Sequence, residues 1–307
     1  MKKFFLGKLL PIKNRFFNKD DGFVKILFFY AILLFMVFVA VYPLLNILST
    51  SLRGDLYAGN LKIIPDGATL ENFKKILFTV EGRSDLTVSF ETFINSNFMR
   101  GLKNSLIISF ASTITTVLLS VTAAYAFSRY KFKGKGVLLS SFLITQIFPA
   151  PMLLLPMYIL LTKLGFVGHF WSLVIPYVAT AVPFCVWTLK GFFDTVPVSI
   201  EESAYVDGAN LRQIFFRIIM PLSLPAIGVA SLFAFTNAWN EYIVARIIIQ
   251  ESSMNTLPIE LTNLTSIATD WGMFSAASLM TAIPVIIVFI SLSKFMVSGL
   301  TLGGVKG

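Results

Sequence analysis

Cysteine and histidine each occur once in these 307 residues, as Cys185 and His169. A single cysteine excludes an intramolecular disulfide and a cysteine metal cluster. A single histidine leaves no His-based metal centre and no Ser-His-Asp triad, and no nucleophile-base pair suggests an enzyme working within a membrane. Charge is also sparse. Asp, Glu, Lys and Arg make up 13% of the chain, against about a quarter in soluble domains. A phosphate-cradling loop of the form G-x-x-x-x-G-K-[ST] is missing, so the chain does not hold ATP by that route. Energy from ATP would have to come through a partner.

What the chain has in excess is apolar surface: 56% hydrophobic residues, 31 of them Phe, and a mean hydropathy of +0.78. Six runs, at 26–48, 102–127, 137–161, 172–193, 222–243 and 274–295, are each near or above the roughly 20 residues that cross the hydrocarbon. With the N-terminus in the cytoplasm, 16 of the 25 Lys and Arg fall on that side. The inner loop RYKFKGKG (129–136) alone carries four, the kind of short loop the positive-inside rule weighs most. The net charge of +9 is therefore topological and calls for no nucleic acid.

The expected class is an all-α integral membrane protein with six transmembrane helices and both termini cytoplasmic, multi-pass in the cytoplasmic (inner) membrane and embedded in lipid. Residues 1–25 form a cytoplasmic N-terminal segment, whose mixture of Phe, Leu, Lys and Arg over 3–17 suits the membrane interface. Residues 26–307 form the six-span domain. The stretch 26–48 is too long for a signal-peptide core and is predicted to be a retained first span. The outer segment 50–101, with Gly54, Pro65, Gly67 and Gly82, predicts a small structured cap or a mobile loop. The loop 249–273 lies outside and the tail 296–307 inside.

Prolines fall within the spans: Pro149, Pro151 and Pro156 in the third, Pro176 and Pro183 in the fourth, Pro284 in the sixth. Each removes a helical hydrogen bond that hydrocarbon cannot replace. They are either packing kinks or the bends of a translocation path. Glu241 and Arg246, near the outer end of the fifth run, have two readings as well. At membrane depth a charge marks a functional site; at the outer interface, beside Trp239, it is ordinary. Cys185 reads as a small buried hydrophobe.

The most informative segment is the polar interruption 197–221, PVSIEESAYVDGANLRQIFFRIIMP. It predicts a helix capped by Ser199 with Glu202 completing a capping box, then a tight turn at Gly208, and a second short helix begun by Asn210 and Gln213 and ending near Pro221. Ile200, Ala204, Val206, Leu211, Phe215 and Ile218 supply apolar surface. Glu201, Glu202, Asp207, Arg212 and Arg217 supply a wet face. Glu202 and Asp207 are ordinary residues at helix ends, and equally suited to pairing with a partner's basic groups.

Glu202-Ser203-Ala204, Asp207-Gly208-Ala209, Pro221 and Pro225 resemble the EAA motif of ABC importer permeases. AYAFSR at 124–129, WNEY at 239–242 and LTLGGVKG at 300–307 extend the resemblance over nearly the whole chain, and the tail is similar to that of MalG-type permeases of maltose and maltodextrin importers. Ser203 departs from the motif's Ala but is also small. The resemblance implies a permease subunit, not an enzyme, that forms half of a pore for a sugar or oligosaccharide such as maltose or maltodextrin. It implies a second homologous permease, two copies of a cytosolic ATPase that uses ATP and Mg, and an extracellular or periplasmic sugar-binding protein. No cofactor is expected on this chain. Glu201, Glu202, Ala204, Asp207, Gly208, Ala209 and Pro221 would form the coupling helix that fits a cleft in the ATPase. Gly303, Gly304, Val305, Lys306 and Gly307 would reach between the ATPase subunits. Trp239, Asn240 and Glu241 are candidate pore or gate residues, although in the maltose type the partner permease supplies most sugar contacts. The competing reading is an ion-coupled secondary transporter with Glu241 as its proton-linked carboxylate.

Overall fold

In a computed structural model, residues 23–54, 65, 67–80, 87–265 and 270–302 are described, and among them every regular element is helical. Helix α1 (Phe23–Ser51) is followed by α2 (Glu71–Phe78) and α3 (Phe90–Asn95), which lie in the described part of 50–101. The long α4 (Asn97–Arg129) begins at Ser96, whose hydroxyl accepts from the N–H of Met99, five residues before the apolar run suggests. Then come α5 (Lys135–Ile147), α6 (Ala150–Lys163) and α7 (Val174–Thr195), the last entered through a 3₁₀ turn at Phe170–Leu173. Helices α8 (Val198–Val206) and α9 (Leu211–Ile214) fill the polar interruption. They lead to α10 (Leu224–Asn240), α11 (Ile243–Ile248), α12 (Leu257–Asn263) and α13 (Trp271–Leu302).

Among the described residues, four helices are long and apolar enough to cross a membrane unbroken, starting at Leu27, Asn97, Trp171 and Trp271. Two further runs are bent pairs. The third run breaks by 108° between Lys135–Ile147 and Met152–Lys163, at Phe148 and Pro149, where the backbone is extended. Pro156, Pro183 and Pro284, by contrast, are carried inside continuous helices. The fifth run was expected to continue to 243. Instead α10 stops at Asn240 after 17 residues, about 25 Å at 1.5 Å per residue and short of the roughly 30 Å hydrocarbon.

The core is built where α4, α7 and α10 meet. Ser105, Ser109, Ser112, Thr116 and Ser120 are all buried on α4, spaced three and four apart so that they form one stripe. Ala181 and Cys185 of α7 and Ala226, Ala230 and Ala234 of α10 are buried opposite or beside it. Small side chains let helix backbones approach closely, which is how helices associate where lipid removes the hydrophobic driving force. Cys185 has no exposed surface and its thiol donates to the carbonyl of Ala230 at 3.6 Å. By contrast, α1 is apolar all round, and no residue of its most apolar window is buried. A helix of that kind belongs in hydrocarbon.

Asn72 of α2 fastens α1 to α13. Its amide donates to the carbonyls of Ser51 (3.0 Å) and Arg53 (2.6 Å) at the end of α1. Gly272, at the start of α13, lies so close that a Cβ there would sit 2.5 Å from Asn72 Nδ2.

Candidate functional site

The polar interruption folds as an elbow, and its turn has a specific construction. Helix α8 ends at Val206 with Asp207 as its C-cap, and Gly208 follows with φ +85°. The N–H of Gly208 donates to the carbonyl of Tyr205 (3.1 Å), and that of Ala209 to Ala204 (3.0 Å). These paired bonds are a Schellman motif, with glycine at the position that requires left-handed backbone. The next residue starts the second helix: Asn210 Oδ1 accepts from the N–H of Gln213 (3.0 Å), and Gln213 Oε1 accepts from that of Asn210 (2.8 Å). A helix stop and a capping-box start thus occupy residues 207–210 with no slack between them.

The start of α8 differs from the expected one. Ser199 does not cap it. Pro197 takes the N-cap position and no side-chain cap bond forms. Proline's fixed φ and its restriction of Val196 carry the chain extended out of α7 and straight into α8, so Ser199 is already helical. Its carbonyl accepts from the Ser203 hydroxyl at 2.8 Å. Glu202 is exposed.

Glu201 was expected on the wet face, but it turns inward. One carboxylate oxygen accepts from Arg129 Nε at 2.5 Å and the other from the Tyr125 hydroxyl at 2.7 Å. The Arg129 guanidinium also donates to the carbonyls of Phe193 (2.9 Å) and Val196 (3.0 Å). A cation at the C-terminal end of a helix satisfies its orphan carbonyls and opposes its dipole. Arg129 therefore ties together the ends of α4 and α7 and the flank of α8. Next to it, Ser128 donates to Asp194 at 2.7 Å, and Asp194 pairs with Lys190. The Tyr125 ring meets Phe215 and Phe193 edge-on, at centroid distances of 5.0 and 6.0 Å.

The rest of the elbow divides cleanly. Ala204 is buried and Ala209 is packed against the same core. Ser203 faces out, so its departure from the motif's Ala meets no packing constraint. At the tip, Val206 is 89% and Tyr205 63% exposed, flanked by exposed Glu202 and Asp207. The result is an apolar tip with an acidic rim. Pro221 is not at this tip. It follows a π-helical turn over Phe215–Ile219, in which the N–H of Met220 reaches the Phe215 carbonyl, a widened turn that gives the proline ring room. There the rod Leu211–Leu222 meets α10 at 75°.

The three candidate pore residues part company. Trp239 is 1% exposed and its ring stacks on Phe235 at 5.5 Å, inside the core with Phe98 and Leu257. Asn240 is exposed at the end of α10. The Glu241 carboxylate accepts from the N–H groups of Val244 (2.9 Å) and Ala245 (3.1 Å), starting α11, and from the Tyr177 hydroxyl (3.1 Å). Tyr177 lies six residues into the span that begins at Trp171, about 9 Å along its axis. The tail residues Gly303 to Gly307 and the segment 3–17 lie outside the described residues.

The roles of Arg129, Tyr125 and Tyr177 went unread in the sequence. Arg129 was visible as one of four charges in a basic loop and as the last residue of AYAFSR, neither of which names its partner. The signal available for it was its place at a helix end, within reach of another helix end.

The family described as "Binding-protein-dependent transport system inner membrane component" matches residues 116–296, from the middle of α4 through the elbow into α13. The chain belongs to that family. It is thus an inner-membrane permease subunit and not itself an enzyme. The galactooligosaccharides transport system permease protein GanQ of Bacillus subtilis (strain 168) is 33% identical over 94% of this chain and 98% of its own length. The maltose/maltodextrin transport system permease protein MalG of Escherichia coli (strain K12) is 36% identical over 90% and 94%. A chain of a bacterial ABC transporter involved in the import of the acidic polysaccharide alginate shares the fold, with a TM-score of 0.72 at 22% identity, covering 91% of this chain and 98% of that one.

Proposed function

We propose that this permease is one half of the translocation pore of an ATP-driven sugar or oligosaccharide importer, worked through the elbow at 197–221. The observation that carries the reading is the elbow's build: a tip bearing exposed Val206 and Tyr205 within an acidic rim, on a helix fastened by Glu201 to Arg129. A surface helix meant only to face water needs neither the apolar tip nor the buried tie.

In this mechanism two cytosolic ATPase subunits, which bind the ATP and Mg, close on each other and carry the elbows of this chain and of a second homologous permease. Displacement of α8 passes through Glu201 to Arg129, and so to the inner ends of α4 and α7 together. The bent spans then expose the path to the outer face, where an extracellular or periplasmic binding protein delivers the sugar. Six crossings, with each bent pair counted as one, put both termini in the cytoplasm and let the tail 303–307 reach the ATPases. Relatives named for galactooligosaccharides and for maltose/maltodextrin support a saccharide and divide on which one.

The ion-coupled alternative draws no support from Glu241. Its carboxylate is engaged by three donors as a helix cap, a poor arrangement for a group that must gain and lose a proton each cycle. The test is purification of the complex from native membranes. A second permease and an ATPase should accompany this chain, and uptake into proteoliposomes should require ATP. Uptake by this chain alone without ATP would refute the reading.

A further inference from the structure

The break between α10 and α11 opens a bowl of about 550 Å³, lined by Phe233, Thr236, Asn237, Asn240, Glu241, Tyr242 and Ile243. Three features of its wall bear on what it holds. First, it is rich in uncommitted amide. Asn237 Oδ1 accepts from the Thr180 hydroxyl at 3.3 Å, while among the described residues neither the Asn237 Nδ2 group nor the Asn240 side chain has a partner. Also among the described residues, no hydrogen bond crosses the break to the carbonyl of Asn240, because the Val244 N–H turns to Glu241. Second, the wall carries no Lys, Arg or His. Its one charge is the Glu241 carboxylate, and Arg246 on α11 is not part of it. Third, Phe233 and Tyr242 place aromatic rings beside the amides.

Polar groups of this kind cannot face hydrocarbon without a severe penalty, so the bowl faces water or a solute. Amides and free carbonyls alternate donors and acceptors, which matches hydroxyl groups. Aromatic rings cover the C–H faces of a sugar ring. A carboxylate without a cation repels an acidic ligand.

We infer that this bowl is a sugar-contact site on this subunit itself, selective for neutral saccharides over uronic-acid saccharides, with Asn237 and Asn240 as its specificity-determining residues. The inference rests on the importer reading above and refines it: this chain reads the solute, and does not leave that to its partner permease.

The experiment uses the complete importer with its binding protein in proteoliposomes. Cys185 is fully buried, so the unaltered chain should not react with a charged, membrane-impermeant thiosulfonate. N240C and T236C should be labelled, and A238C, next to them but buried, should not. Maltotriose and β-1,4-galactotriose are the neutral probes and trimannuronate the acidic one. At least one neutral trimer should slow labelling of T236C, which keeps both asparagines, by about tenfold, the effect of a site occupied ten times as often as it is empty. Trimannuronate should not slow it. Asn240→Ala should weaken ATP-dependent uptake of the protecting trimer about tenfold, as expected for a lost amide contact, and Asn240→Gln should restore part of it. Absence of labelling at both N240C and T236C, equal labelling with and without both neutral trimers, or protection by trimannuronate would overturn the inference. Failure of the importer reading would show separately, as uptake by the unaltered complex that ignores ATP.

Discussion

Glu201 of the elbow accepts a hydrogen bond from Arg129 at the end of α4 across 72 positions of sequence, with both side chains nearly buried at 12% and 10% exposure. The same guanidinium closes the carbonyl end of α7. The elbow is therefore held as a lever fixed to two membrane helices at once. A loop merely strung between spans would lack that fixture.

Arg129→Ala leaves a buried carboxylate uncompensated and two helix-end carbonyls without their donor. Removing one member of such a pair costs about 3 kcal/mol, which should appear as a lowered midpoint of thermal inactivation in detergent. Glu201→Gln keeps a shape that still accepts from Tyr125 and should cost less. In both variants sugar-stimulated ATPase activity of the complex should fall more than the amount of assembled complex. A fall only in proportion to assembly would assign the pair a purely structural role.

Gly208→Val places a β-branched residue at φ +85°, a conformation costing an L-residue about 1–2 kcal/mol. Nothing lies within 4 Å of a Cβ there, so the expected damage is to the angle of the turn, not to packing. The chain should insert and assemble while losing sugar stimulation of ATP hydrolysis. Asn210→Ala, which removes one half of the capping box, should have the same sign and a smaller effect, about 1 kcal/mol of helix stability.

Much of this was legible in the sequence, and the reasons differ from element to element. Gly208 and the Asn210–Gln213 pair could be read because turn and cap chemistry is local: the residues that make the bonds lie within five positions of each other. Ser199 misled for the same reason. Its spacing to Glu202 fits a capping box, but Pro197 two residues earlier already sets the helix start. The tie from Glu201 to Arg129 could not be read, because nothing in either neighbourhood specifies a partner dozens of residues away. The break after Asn240 was hidden in a continuous apolar run, where the deciding event is a side-chain carboxylate replacing helical carbonyls for the N–H groups of Val244 and Ala245.

Gly272→Ala should be costly for so small a change. The new methyl would displace an Asn72 amide that is buried and bonded twice. The loss, about 1–3 kcal/mol for unsatisfied buried groups, should show as faster thermal inactivation. Asn72→Ala in the same chain should cost less than the sum of the two changes, because both act through one contact.

Glu241→Gln separates two roles for that residue. As a cap it keeps one accepting oxygen and loses the other, which predicts a stability loss of about 1–2 kcal/mol with ATP-dependent uptake retained. A proton-linked carboxylate would instead make the glutamine variant inactive in uptake while leaving its stability intact.

The most direct test of the central claim is the side of the membrane to which the elbow's tip is open. Val206→Cys, in a chain whose native cysteine is buried, should be labelled by an impermeant thiol reagent in inside-out vesicles stripped of the ATPase, be protected when the ATPase is restored, and be silent in intact cells. Labelling of intact cells would put the elbow outside, where no cytosolic motor could grip it, and would contradict the account.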